Sequence, residues 1–381
     1  MKNATQFDVM VIGGGPAGAA AAISAARAGA QVLLLERGSL PRHKVCGEFV
    51  SPEALGLLQA LLGEENPAVG AETPKITKAI AYVGGRELHA RLDPAALSIA
   101  RYELDAALWK AAHSLGVQCR QHSEVQAIER ENGAFRALLR GEACSAGSVI
   151  NAAGRWSKLQ ARTKSHKGKE DWIGLKAHFV DHELEAPPAD GEAVELFLLP
   201  FGYCGVQPVI SEGERRWNAC CMVRASAATR LSQVLAAHPA LAARSRQWEQ
   251  RTETVSTAPL IFRAAAPLDE SGALAVGDAA AFIDPFVGDG IAIALRSGAM
   301  AGALAAEQCP RGMSNTESSK RYCDWYGKTI APALRNAARL RRVMELPRAL
   351  QASLIRTANI FGVGEWLVRA TRSRRAQSQE K

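Results

Sequence analysis

Apolar and polar positions switch between a period of two and a period near 3.6 along this chain, and the switches outline its elements. Asp8 to Ile12 is a short β-branched run, Pro16 to Ala28 is alanine-rich, and Gln31 to Leu35 is apolar again, which predicts strand, turn, helix and strand. Ser51 followed by Pro52 opens a further helix. Lys75 to Leu92 alternates around Gly84-Gly85 as a hairpin does. Ser98 to Ser114 reads as a helix with Leu104, Ala107, Leu108 and Ala111 on its apolar face. Short strands follow at Val117 to Cys119, Val125 to Glu129, Phe135 to Leu139 and Ser148 to Asn151. A basic, polar stretch from Lys158 to Asp171 marks a crossing into a second region. There Ile173 to Val180, Ala193 to Leu199, Gly202 to Ile210 and Trp217 to Val223 predict a largely antiparallel sheet, and Ala225 to Arg251 a helical segment. Leu274 to Ala306 returns to strand, glycine-rich loop and helix, with the helix beginning near Ile291. From Ala331 to near Arg369 the chain reads as helical, with arginines interleaved among Leu340, Val343, Leu350, Leu354 and Trp366.

Composition adds a bound and a location. At 381 residues and 48% hydrophobic, the chain can bury a large core or several domains. Its formal charge of +8 is local: residues 331–381 hold eleven Lys or Arg against three Glu, so the remainder is balanced. That tail reads either as solvated helix faces or as a contact for an acidic or membrane surface, and as an amphipathic end it could also cap the core. Cysteines at positions 46, 119, 144, 204, 220, 221, 309 and 323 show no CxxC spacing, and adjacent Cys220 and Cys221 fall on opposite faces of a strand. Neither a metal site nor a disulfide framework is expected, and a reduced, cytoplasmic setting is the simplest. Five glycines, Pro16 and Arg27 argue against a membrane span in the apolar N-terminal stretch. Nucleic acid is not an expected partner.

The first glycine turn carries the clearest chemistry. Gly13, Gly15 and Gly18 stand at GxGxxG spacing: the first for a tight turn, the second for backbone approach to a pyrophosphate, the third for close helix packing. Pro16 and Ala17 begin a helix whose N-terminus offers free N–H groups to phosphate. Glu36 ends the second strand, where a carboxylate accepts ribose hydroxyls and disfavours a 2′-phosphate, so FAD and NAD both fit. Arg101 at a helix start is disfavoured by the dipole unless an anion is near, with solvent exposure as the alternative. Cys46 follows the basic loop Pro41-Arg-His-Lys44 and is either a small buried residue or part of an active site. Tyr203, in Pro200 to Pro208, sits in a strand turn or on a substrate-facing edge. His178 and His238 are isolated and read as structural. Gly277-Asp278, Asp284, Pro285, Gly288, Asp289, Gly290 and Ile291 form a second glycine-rich approach to a helix N-terminus.

GGGPAG with Glu36, RYELDAAL, and GDAAAFIDPFVGDGIAIAL resemble, in order and spacing, the FAD-dependent oxidoreductases of the para-hydroxybenzoate hydroxylase fold over most of Asp8 to Ala306. KVCGE and PFVGDGI with Ser297-Gly298 are most similar to geranylgeranyl reductase-like flavoproteins, and NAAGRWSKL is similar to a stretch of flavin-dependent halogenases. The resemblance implies an α/β fold: a Rossmann-like, three-layer ββα FAD-binding domain (1–72, 95–170 and 272–330), an inserted, largely antiparallel substrate domain (73–94 and 171–271), and a basic helical segment (331–381). It implies that Gly13, Gly15, Pro16, Ala17, Gly18, Glu36 and Arg37 hold the ADP half of FAD. Arg101 would reach the pyrophosphate or ribityl chain, Val125 the adenine through its backbone, and Asp278 the ribityl hydroxyls, with Gly154 and Gly277 also binding the cofactor. Pro285, Gly288, Asp289, Gly290 and Ile291 would lie beside the isoalloxazine, with Cys46 and Glu48 on its other side.

Cys46, Glu48 and Tyr203 are thus the candidate catalytic residues. Ala153-Gly154 stands where family hydroxylases carry an Asp-Gly pair tied to pyridine-nucleotide use, so FAD is expected with NAD(P)H left open as its electron donor, and the WxWxIP box of halogenases is absent. The expected activity is monooxygenation of an apolar or aromatic substrate through a flavin C4a-hydroperoxide. The alternatives are reduction of isoprenoid double bonds, which the basic tail would suit through peripheral membrane contact, halogenation, and modification of a partner protein.

Overall fold

The computed structural model describes residues 6–83, 85–131, 133–155, 159, 171–182, 192–257, 259–260, 265–282, 286, 288–307 and 315–344. Its strands are β1 (Gln6–Ile12), β2 (Val32–Leu35), β3 (Phe49–Val50), β4 (Lys75–Val83), β5 (Arg86–Ser98), β6 (Gln118–Arg120), β7 (Ala127–Glu131) and β8 (Ala134–Leu138). They continue with β9 (Ala143–Asn151), β10 (Trp172–Asp181), β11 (Glu192–Leu199), β12 (Gly202–Ser211), β13 (Glu214–Arg224), β14 (Trp248–Gln250), β15 (Val255–Ser256) and β16 (Leu274–Ala275). The helices are α1 (Pro16–Arg27), α2 (Pro52–Leu62), α3 (Arg101–Ser114), α4 (Leu231–Ala236), α5 (Pro239–Arg244), α6 (Gly290–Ala306), α7 (Asn315–Thr329) and α8 (Ala331–Met344).

The first sheet runs β6-β2-β1-β9-β8-β7, with β16 also on β9. Strands β6, β2, β1, β9 and β16 are mutually parallel, and the β7–β8 hairpin adds antiparallel strands. Alternation sorts the strand side chains. Val9, Val11, Val32 and Leu34 face α1, α3 and α6, while Met10, Ile12, Leu33 and Leu35 face a second cluster with Val125 and Phe135. Helix α6 lies against α1 because small residues let the backbones touch. A Cβ on Gly298 or Gly302 would come within 2.0 Å or 2.1 Å of the Ala17 or Ala21 carbonyl oxygen.

The second sheet runs β14-β10-β13-β12-β11-β4-β5-β3, with β15 on β10. All its pairs are antiparallel except β11 with β4. One face packs Phe197, Val206, Cys221 and Val223 against Leu231, Val234 and Leu241 of α4 and α5. The other face meets the first sheet's helices across a cavity. The fold is therefore a mixed α/β architecture, with a Rossmann-like parallel sheet beside a largely antiparallel one.

Three sequence expectations shift. The helix predicted over 225–251 resolves into α4, α5 and strand β14, since Pro239 lacks the N–H an unbroken helix needs and Trp248 to Gln250 pair with β10. The helix expected from Ser98 begins at Arg101, because Ser98 still belongs to β5. Ser51 stands at the N-cap of α2, yet its hydroxyl donates to Asp289 Oδ1 at 2.8 Å instead of capping. The crossing over 158–171 falls almost wholly outside the described residues, as does the tail beyond 344.

Candidate active site

A single cavity of about 960 Å³ runs from Glu36 and Val125 at one end, past the first glycine turn, to Cys46, Tyr203 and the start of α6. Its walls follow from local geometry. Gly13 sits at φ +108°, and a Cβ there would meet the Ala152 carbonyl oxygen at 2.3 Å. Gly18 is similarly closed by the Gly13 carbonyl oxygen, so it packs the turn and does not line the cavity. Gly15 differs. A Cβ there would find only Arg101 Nη2 and Lys44 Nζ, each 3.9 Å away. Two cations and the α1 N-terminus thus converge where backbone is laid open to an anion.

Those cations are held in place by Asp105, which is wholly buried. Its carboxylate accepts two bonds from Arg101 at 2.9 Å and one from Lys44 Nζ at 2.8 Å. Burial pushes the Asp105 carboxyl up, but Arg101 and Lys44 outweigh it and hold it below its ordinary value. Lys44 is lowered by its own burial against the pull of Asp105. At the end lined by Val125, Glu36 Oε2 accepts the Gly14 N–H at 2.8 Å, and Oε1 accepts the Gly38 N–H at 3.0 Å and Arg42 Nη2 at 3.1 Å. Burial opposes its ionisation, yet these donors keep it low. A carboxylate has about four lone-pair positions, so one remains for a ribose hydroxyl. Arg37, Ser123 and Val125 complete that end.

At the other end, Gly154 (φ +73°) and Asp278 line the wall. Asp278 faces the cavity, with Arg155 Nη1 at 4.0 Å, and its carboxyl is raised by burial against that arginine. The Arg155 guanidinium lies 4.0 Å above the Phe282 ring. The Gly277 N–H donates to Ser297 Oγ at 3.0 Å, which ties the loop after β16 to α6. Gly288, Gly290 and Ile291 line the cavity, whereas the Asp289 side chain turns away to Ser51. Pro285 and Asp284 lie outside the described residues. Tyr203 packs edge-on against Phe286 at 5.2 Å, beside Met222, Leu260 and Phe282.

Cys46 faces the same space. Its sulfur accepts the Glu48 N–H at 3.3 Å, and the Arg101 charge is electrostatically coupled to it. Glu48 is wholly buried: Oε1 accepts the Arg101 N–H at 2.8 Å and Lys176 Nζ at 2.7 Å, and His178 Nε2 lies 2.8 Å from Oε2. Burial would raise this carboxyl, but Lys176 and His178 hold it down to about 2. Sequence reading gave no role to Lys44, Asp105, Lys176 or Asn218. Asp105 was accessible as the i+4 partner of Arg101. The alternation of β10 puts Lys176 and His178 on one face, but nothing local to that strand points to Glu48.

An acid at the end of the second strand, an anion cradle at the glycine turn, and a second polar loop at another helix start define a flavin-dinucleotide protein of the oxidoreductase class. The chain belongs to the FAD binding domain family, whose model matches residues 6–320. It is similar to digeranylgeranylglycerophospholipid reductase 2 of Methanopyrus kandleri, 29% identical over 87% of this chain and 85% of the relative. It is also similar to a menaquinone reductase of Mycobacterium tuberculosis, 27% identical over 78% of this chain and 76% of that one. Among solved structures, a flavin-dependent brominase superposes with a TM-score of 0.76 at 20% identity, covering 96% of this chain and 93% of that one. The protein is a flavoprotein oxidoreductase with FAD as its cofactor. The residues fit that cofactor: Glu36, Gly15 with Lys44 and Arg101, and Asp278 follow one another along one continuous cavity, where they would meet its adenosine, pyrophosphate and ribityl parts in that order.

Proposed function

We propose that this flavoprotein reduces carbon–carbon double bonds in a long isoprenoid chain. The observation that supports it best is an apolar row across the second sheet. Leu88, Ala81, Leu196, Gly205 and Cys220 are consecutive register partners on β5, β4, β11, β12 and β13, and all five line the cavity. Ala90, Ala79 and Val194 add a parallel row. Four interstrand steps span about 19 Å at the ~4.8 Å spacing of a sheet. These small and aliphatic residues form a floor suited to an extended chain, and the floor ends beside Cys46. The names of the relatives, a geranylgeranyl lipid reductase and a menaquinone reductase, agree with substrates of this shape.

In this reading FAD, when bound and reduced, supplies a hydride to one alkene carbon. The chain's own residues do the rest. Lys44 and Arg101, fixed by Asp105, anchor the pyrophosphate; Tyr203, Phe282 and Phe286 exclude water; the apolar rows align the chain. Cys46 is placed to give its thiol proton to the second alkene carbon, the S–H bonding pair staying on sulfur, where the Glu48 N–H and Arg101 receive the thiolate. The thiol is then restored from solvent.

The test is anaerobic mixing of dithionite-reduced holoprotein with a digeranylgeranyl glycerophospholipid. Flavin should reoxidise without oxygen, and the product should gain two hydrogens per reduced bond, both of them deuterium in heavy water because the reduced flavin N–H and the thiol each exchange with solvent. Monooxygenation, the activity the sequence motifs put first, predicts the opposite: reoxidation only when oxygen is admitted, with one oxygen atom in the product.

A further inference from the structure

Glu48 belongs to the cavity wall, yet it is fully buried and its carboxylate is engaged by side chains of the second sheet. Glu48 adopts a left-handed backbone (φ +63°), a conformation costly for a residue with a Cβ, and it is fixed from four sides. Its carboxylate is clamped by Lys176 and His178 of β10 and by the first N–H of α3. Its carbonyl accepts the Ile99 N–H at 2.9 Å. The two carbonyls before it, of Cys46 and Gly47, accept Asn218 Nδ2 of β13 at 3.2 Å and 2.9 Å. Lys176, His178 and Glu48 are all fully buried, and Asn218 nearly so. A buried ion pair of this kind is a poor way to gain stability, because desolvation offsets most of the attraction. What the cluster does achieve is geometric: it holds the Cys46 to Glu48 turn so that the Glu48 N–H points at the sulfur, while the adjoining α3 brings in Arg101.

We propose that Glu48, clamped by Lys176 and His178, is a positioning residue that fixes the left-handed turn presenting the Cys46 sulfur to the Glu48 N–H at the cavity wall. Glu48 does not exchange protons during the reaction; it acts through Cys46. The inference rests on the reductase reading only for what Cys46 does to substrate, so its test reads the sulfur and not turnover.

The experiment measures iodoacetamide alkylation of Cys46 in FAD-loaded protein by peptide mass spectrometry, from mildly acidic to alkaline pH. The sulfur lines the cavity with the Glu48 N–H 3.3 Å away, so the wild-type alkylation rate is the reference for a sulfur held in that geometry. Glu48→Ala should slow it roughly tenfold or more, with Glu48→Gln restoring part of the rate because its amide oxygen still accepts the Arg101 N–H. Two variants avoid stranding a buried charge: Glu48→Gln with Lys176→Met, and Asn218→Ala. Both should retain FAD and shift the pH profile of alkylation in the same direction. Wild-type rates and profiles in both would overturn the proposal. Should the slowing appear while prenyl reduction fails, the positioning role stands and the reductase reading falls.

Discussion

Asp105 shows how much one carboxylate can organise. It has no access to solvent, yet it fixes the two cations that face Gly15, so its removal leaves a half-buried arginine and a half-buried lysine without that partner. We expect Asp105→Ala to destabilise the protein by about 3–5 kcal/mol, the cost of breaking a buried pair from one side. FAD should dissociate more readily as well, checked by thermal unfolding and by release of flavin fluorescence. Glu48 makes a separate, pH-dependent claim. Its carboxyl is depressed from 4.5 to about 2 in the folded protein, so its contribution to stability is complete above 4.5 and is lost as pH falls towards 2. Urea unfolding at a series of acidic pH values should show this loss in the wild type, and a correspondingly flatter slope in Glu48→Gln.

Helix packing explains why some glycines matter and others do not. Gly302 has the Ala21 carbonyl oxygen where a Cβ would go, so Gly302→Val must push α6 away from α1 and with it the α1 N-terminus. Overpacking of this kind costs about 1–3 kcal/mol, and the displaced anion cradle should lose FAD. Gly56, exposed within α2 with nothing in reach of an added Cβ, predicts the contrary: Gly56→Ala should stabilise by ~1 kcal/mol through helix propensity. Comparing the melting temperatures of the two variants checks both. The elements of the first sheet were legible because Gly13, Gly15, Gly18 and Glu36 sit at fixed offsets within one local unit, and periodicity finds such units well. The register of the second sheet was not. The union of β4 and β5 with β11, and the meeting of Glu48 with Lys176 and His178 across more than a hundred residues, are set by tertiary contact and leave no local pattern. Pro239 was the one visible warning against a continuous helix over 225–251.

For the whole molecule, the proposed reductase reading asks how a cavity floored by the second sheet would receive a prenyl substrate from a membrane. No helix among the described residues is long and apolar enough to cross one. The basic tail divides at Met344. Helix α8 buries Ala333 and Ala337 and follows the buried Ile330, so its first turns belong to the core, while Arg335 and Arg339 point outward. Residues 345–381 carry seven more Lys or Arg against three Glu. A deletion from 331 would therefore uncover core surface and confuse unfolding with loss of binding, whereas one from 345 leaves that surface covered. If the tail docks the protein on anionic lipid, the 1–344 form should keep its flavin spectrum and melting temperature but sediment less with phosphatidylserine-containing vesicles, and high salt should weaken only the full-length protein's binding. Equal sedimentation of both forms at low salt would remove the tail as the membrane contact. Delivery of a prenyl chain to the Leu88 to Cys220 row can be tested independently by Gly205→Phe, which should block turnover of a long-chain lipid while leaving FAD bound.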